Sequence, residues 1–266
     1  MESNDQHKSV DRQSRCGRPH TFWLGLCLVL AGLAYVGWMR RPTFGQLTNL
    51  AGDRTDKGLS RHSFTEIYDH VFFPLRNRSI KIFEIGIGKG GSLMLWKDYF
   101  PQGTVYGIDI IDRSELDSSR VKTFVADQSD REQLQAFLDT HPGAYDILLD
   151  DGGHTMEQQQ VSFGFLFPHV TPGGYYVIED VHTSLPEQYT NYGVAEDESN
   201  STLTMINEFI RHGRMKSVYM KPEEMRYIGD HVEYVLLFYR DNSYRSMTCI
   251  FRKRTAPKTK DVLDAQ

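Results

Sequence analysis

Apolar positions divide this chain into two unlike parts. Residues 22–38 (FWLGLCLVLAGLAYVGW) run without a charge, and Thr21 and Met39 extend the stretch at either end. As a helix it spans about 28 Å, close to the hydrocarbon thickness of a bilayer. Trp23, Tyr35 and Trp38 near its ends suit the headgroup layer, and Arg40 and Arg41 stop it. The pattern predicts a single-pass membrane anchor over 21–39, behind a polar tail over 1–20. A cleaved leader competes with it, because Gly32-Leu33-Ala34 has small residues at cleavage spacing. Basic residues flank both ends of the stretch, which leaves the side of the membrane undetermined. The sequons at Asn77 and Asn200 matter only if the body faces a lumen.

The second part alternates. Residues 40–60, with Gly45, Gly52, Gly58 and few large apolar side chains, read as a polar linker. Phe64, Ile67, Tyr68, Val71 and Phe72 then recur at helical spacing until Pro74. Five short apolar runs follow at 80–87, 104–110, 121–126, 145–150 and 175–179, the last after a turn at Pro172-Gly173-Gly174. Helical patterns over 90–99, 130–140 and about 155–167 separate them. Nearly continuous apolar strands between helices indicate a parallel sheet covered on both faces. Two later strands, 232–239 and 247–252, flank a turn-rich Arg240-Asp241-Asn242-Ser243 and predict a closing antiparallel hairpin. The reading is one α/β domain over 61–254, with a mostly parallel, Rossmann-like sheet, and a flexible tail over 255–266.

Composition narrows the function. The formal charge of −5 splits into +3 over residues 1–41 and −8 over the remainder. An acidic body lacks the electrostatic footprint of a nucleic-acid binder, so that class is set aside. The 3 cysteines are scattered and form no CxxC pair, which supports neither a disulfide framework nor a thiolate metal site.

In an open α/β sheet, ligands bind beyond the carboxyl ends of the strands. The first strand delivers Glu84-Ile85-Gly86-Ile87-Gly88-Lys89-Gly90-Gly91, whose glycines allow close backbone approach ahead of a helix N-terminus. Gly86, Gly88 and Gly91 alone satisfy GxGxxG, a weak signal. Asp109 ends the second strand, where it suits ribose hydroxyls, and Asp127-Gln128 end the third, near an adenine. Any one of these acids fits a helix cap equally well, but three at three strand ends are harder to dismiss. The fourth and fifth strands end in Asp150-Asp151-Gly152-Gly153-His154 and Glu179-Asp180. Carboxylates gathered there repel unless a cation lies between them, and oxygen donors suit Mg²⁺. His154 is a candidate general base, against the plainer reading of a solvent-exposed loop histidine.

Glu84-Ile-Gly-Ile-Gly-Lys-Gly-Gly-Ser92, Trp96, Tyr99-Phe-Pro101, Tyr106-Gly-Ile-Asp109, Asp127-Gln128, Asp150-Asp-Gly-Gly-His154, Phe165-Leu-Phe-Pro168 and Gly173-Gly174 through Ile178-Glu-Asp180 recur in that order. Together, with Thr55-Asp56-Lys57-Gly58, His62 and Tyr68 upstream, they resemble the class I S-adenosylmethionine-dependent O-methyltransferases of the macrolide-sugar type. The match runs from residue 53 to residue 252. The resemblance implies that Glu84, Gly86, Gly88, Gly90, Ser92, Asp109, Asp127, Gln128 and Asp150 bind S-adenosylmethionine. It implies Asp151, Glu179 and Asp180 as Mg²⁺ ligands and His154 as the base, acting on a hydroxyl of a diol or glycoside acceptor. Two departures stand out. The macrolide enzymes carry a further N-terminal domain where this chain has its tail and predicted anchor, which leaves acceptor and assembly, including a homo-oligomer, open. Gly153 stands where a Ser or similar small residue is expected.

Two other classes compete. The family borders on cephalosporin hydroxylase-like proteins, and GxGxxG followed by Asp109 also fits a nicotinamide-dependent oxidoreductase, although hydride transfer has no use for the carboxylates. A non-catalytic, membrane-tethered module that keeps the fold is the third.

Overall fold

Strand register explains why the acidic residues meet. The computed structural model describes residues 45–185 and 190–256. Strands β1 (Lys81–Ile85), β2 (Thr104–Asp109), β3 (Val121–Val125), β4 (Tyr145–Asp150) and β5 (Val170–Ile178) run parallel. Strands β6 (Val232–Tyr239) and β7 (Met247–Lys253) form the antiparallel hairpin, and β7 inserts beside β5. The order is β3-β2-β1-β4-β5-β7-β6, which reverses direction between β1 and β4. Ile85 pairs with Asp150, and Asp150 with Ile178. The residues just beyond them, Gly86, Asp151 and Glu179, therefore leave the sheet at one level, at the switch point where such folds bind ligands.

Alternation along each strand feeds two cores, as expected of a sheet covered on both faces. Ile82, Val105, Ile147, Leu149, Val177 and Ile250 pack under helices α1 (Gln46–Ala51), α2 (Phe64–Phe72) and α3 (Gly91–Tyr99). Phe83, Ile108, Leu148, Tyr176, Ile178 and Phe251 pack under α4 (Arg131–Thr140), α5 (Met156–Leu166), α6 (Thr202–His212) and α7 (Pro222–His231). Asp130 caps α4, its side chain accepting from the Glu132 and Gln133 amides, and Thr155 with Gln158 forms a capping box on α5.

The fold differs from the sequence reading in three places. Residues 46–60 are folded rather than a linker: Leu47 and Ala51, one turn apart on α1, are fully buried, and so is Lys57. Two buried residues on a six-residue helix make too short a pattern to stand out. Strand β5 begins at Val170, so Pro172-Gly173-Gly174 is a bulge within it and not a turn before it. Tyr145 pairs with Val170 but Ile147 with Tyr175, and the surplus residues are absorbed at Gly173, with φ +81°. Helices α6 and α7 lie outside the predicted elements; α6 buries Met205, Ile206 and Phe209 along one face. The predicted anchor over 21–39, the tail over 1–20 and residues 257–266 lie outside the described residues. Among the described residues no helix is long and apolar enough to cross a membrane.

Helix α7, which buries Ile228 in the core, is also tied to α4 by one two-pronged contact. Arg131 Nε donates to Glu224 Oε1 at 2.9 Å, and its Nη2 donates to Glu224 Oε2 at 2.8 Å and to the Tyr219 carbonyl at 3.0 Å. Glu224 is buried, so losing the guanidinium leaves its charge with the Lys221 amide alone, at 2.8 Å. Arg131→Ala is expected to lower stability by about 2–4 kcal/mol in urea unfolding, and a change below the error of that measurement would show α7 to be held by packing alone.

Candidate active site

The glycine loop after β1 is shaped by contacts that no side chain permits. Gly86 has φ +86°, and a Cβ there would sit 2.0 Å from the Asp151 carbonyl oxygen. The loop is anchored on Asp109. Asp109 Oδ2 accepts from the Ile87 and Gly88 amides at 2.9 and 3.0 Å, and its Oδ1 accepts from Ile111 at 3.0 Å. A cleft of about 760 Å³ opens over the loop. Gly86, Gly88, Ser92, Asp109, Asp127 and Gln128 line it, as does the segment carrying Arg54, Thr55 and Asp56.

Three of the expected cofactor residues do not line this cleft. Gly90 sits behind the loop with φ +81°, against Leu116. Glu84 is fully buried, and burial pushes its carboxyl up to about 7 against the opposing pull of Lys57. Asp150, the last residue of β4, faces the α5 side, where it accepts from Ser162 Oγ and, at 2.9 Å, from Gln128 Nε2. Burial raises its carboxyl to about 6. Gln128 in turn accepts from the Gly153 amide at 2.8 Å, tying the end of β3 to the loop after β4. A Cβ at Gly153 would lie 2.1 Å from Gln158 Oε1, in the capping box of α5, so the expected Ser would disturb that cap. Asp127 turns onto its own loop, accepting from the Ser129 amide and hydroxyl at 2.8 and 2.7 Å.

Beside the cleft, the acids divide into two groups. Asp151 Oδ1, His154 Nε2 and Asp180 Oδ2 converge: the imidazole nitrogen lies 3.9 Å from Asp151 and 3.4 Å from Asp180. This trio could hold a metal ion, its donor atoms all lying within 4.8 Å of one another. The second group centres on Lys57, which sequence reasoning gave no role. Its ammonium contacts Asp151 Oδ2, Glu179 Oε2 at 2.9 Å and Glu84 Oε1 at 3.4 Å. Burial opposes the charge, yet Asp151, Glu179 and Glu84 hold its pKa well above the usual lysine value. Glu179 accepts on its other oxygen from the Tyr68 hydroxyl at 2.9 Å. Its carboxylate is thus committed to Lys57 and Tyr68, while Asp151 and Asp180 face His154.

The trio fits a hard divalent cation on two observations. Burial and the neighbouring Asp151 push the Asp180 carboxyl up to about 7, a repulsion that a cation relieves. Asp180 Oδ1, the second oxygen of that carboxylate, is also buried with no hydrogen-bond partner among the described residues. His62 and His182 border Asp180, with Nδ1 atoms 3.7 and 3.6 Å from Oδ1. Backbone strain gathers here as well: Ser63, His154, Asp180 and Arg245 are four of the five non-glycine residues with positive φ among the described residues.

No family model matches the chain. It is 39% identical over 189 residues to mycinamicin VI 2''-O-methyltransferase of Micromonospora griseorubida, covering 68% of this chain and 46% of that protein. It is 40% identical over 173 residues to demethylmacrocin O-methyltransferase of Streptomyces fradiae, covering 62% and 42%. The chain thus spans about half the length of the curated relatives it matches. Among solved structures it resembles the MycE methyltransferase of the mycinamycin biosynthetic pathway, in complex with Mg, SAH and mycinamycin VI. The TM-score is 0.65 at 31% identity, over 81% of this chain and 56% of that one. The fold is that of a class I methyltransferase.

Gly86→Ala is expected to cost at least about 3 kcal/mol, because it combines a disfavoured φ with a clash against backbone that cannot move aside. Thermal denaturation checks this; a loss under about 1 kcal/mol would mean that the loop yields.

Proposed function

We propose that this chain, a relative of the sugar O-methyltransferases with their class I fold, is an S-adenosylmethionine-dependent, Mg²⁺-assisted O-methyltransferase. Its acceptor in this reading is one hydroxyl of a vicinal diol on a sugar-like or catechol-like molecule. The observation that carries the reading is the convergence of Asp151, His154 and Asp180 beside a glycine-lined cleft. The predicted anchor over 21–39 would keep this chemistry at a membrane.

Asp109 fixes the loop amides that shape the cofactor side of the cleft, and Gly86 and Gly88 keep that wall free of side chains. Asp151 and Asp180 would hold the metal, with Glu179 and Lys57 behind them setting the angle of the Asp151 carboxylate. When bound, S-adenosylmethionine supplies an electrophilic methyl group, and Mg²⁺ supplies the charge that acidifies a neighbouring hydroxyl. In this reading the carboxylates hold the metal and His154 Nε2 stays off it: Nε2 takes the acceptor proton, and Asp180 at 3.4 Å stabilises the imidazolium that results. Fixing both reactants in one cleft removes much of the entropic cost of their meeting.

Incubating the full chain with S-adenosylmethionine, Mg²⁺ and a panel of glycosides bearing adjacent hydroxyls should add one methyl group to at least one of them. Mass spectrometry reads the product. EDTA should abolish the transfer and Mg²⁺ restore it; transfer unaffected by thorough chelation would refute the metal assignment alone. His154→Ala should lower turnover by about 10²-fold or more with little change in S-adenosylmethionine affinity. An equal loss of cofactor affinity would instead make His154 a structural residue.

A further inference from the structure

Lys57 is fully buried, and its ammonium is shared by carboxylates from three strand ends: Glu84 of β1, Asp151 after β4 and Glu179 after β5. Among the described residues it is the only lysine or arginine paired with any of them. Asp151 belongs to both groups, its Oδ2 on Lys57 and its Oδ1 in the trio with His154 and Asp180. We propose that Lys57 is the resident counter-cation of this site. It holds Asp151 and Glu179 in place when no metal is bound, and it weakens the attraction of the site for a divalent ion. The proposal rests on the Mg²⁺ reading above and adds a positioning residue to it.

Charge requires such a role. Buried Glu84 and Glu179 and half-buried Asp151 and Asp180 crowd one end of the sheet, where their mutual repulsion is poorly screened. One ammonium offsets part of that repulsion permanently. The same positive charge, a few ångströms from where a divalent ion would sit, opposes the ion's arrival. Lys57 also reaches from the metal side to Glu84 on β1. The backbone around it is wired independently of the ammonium: Thr65 N donates to the Lys57 carbonyl at 3.1 Å, Ser63 N to Gly58 at 2.9 Å and His62 N to Asp56 at 3.0 Å. A neutral, unbranched side chain one atom shorter, such as Met, therefore leaves the loop in place while removing the ammonium's charge and its hydrogen bonds to Asp151 and Glu179.

The test compares full-length wild type, Lys57→Met and Lys57→Arg, with Mn²⁺ as the probe. Melting is followed in EDTA and in saturating Mn²⁺, and Mn²⁺ affinity is measured by calorimetric titration. Lys57→Met should melt below wild type in EDTA, recover most of the difference in Mn²⁺, and bind Mn²⁺ roughly tenfold more tightly. Lys57→Arg, which keeps the charge, should follow wild type. A merely structural lysine would lower melting equally in both conditions. That result, an Mn²⁺ affinity no tighter than wild type, or a Lys57→Met chain that stays unfolded in saturating Mn²⁺, overturns the proposal alone. Wild type that binds no Mn²⁺ at all overturns the metal reading and this inference with it.

Discussion

Like charges at neighbouring strand ends are the constraint on which this structure turns. Register puts Asp151 and Glu179 at one level, and the chain then adds Asp180 and buries Glu84 close by. No folded protein leaves such a cluster uncompensated, because each unpaired buried carboxylate costs several kcal/mol or gives up its charge. The compensation has two parts. Lys57 is covalently present and takes Glu84, Glu179 and one oxygen of Asp151. What remains, Asp151 Oδ1 and Asp180 against His154, is a set of donors suited to a hard cation.

The cofactor side follows from the same register. The loop after β1 passes so close to Asp151 that residue 86 must be Gly. The turn it makes is held by the Asp109 carboxylate through backbone amides rather than left loose for a ligand to order. Gln128 bridges Asp150 and the Gly153 amide, so the ends of β3 and β4 are tied together. A site assembled this way is preorganised: its walls are fixed by hydrogen bonds between strand ends, and binding need not pay to arrange them.

Much of this was legible in the sequence. Buried parallel strands appear as unbroken apolar runs, so their ends, and with them Asp109, Asp127, Asp151, His154 and Asp180, could be located. Period-two alternation also explains what sequence reading passed over. Leu148 faces the α5 side, so Asp150, two residues on, faces it too and meets Ser162, while Asp151 lies beyond the strand. Glu84 alternates with Phe83 and Ile85 and points toward the α2 and α3 face, where Lys57 is buried. Lys57 itself was hidden by its setting. A lysine among Gly, Asp and Thr reads as linker, and only the recurrence of Thr55-Asp56-Lys57-Gly58 in the resembling family hinted at more. Helix α7 had a readable start in Lys221-Pro222-Glu223-Glu224, with proline at the first helical turn and glutamate closing the cap.

The most direct test is calorimetric titration of the full chain with S-adenosylmethionine and S-adenosylhomocysteine, with and without Mg²⁺. The account predicts micromolar binding of both at the glycine-lined cleft. A folded sample that binds neither would contradict it and return the cleft to nicotinamide or other chemistry.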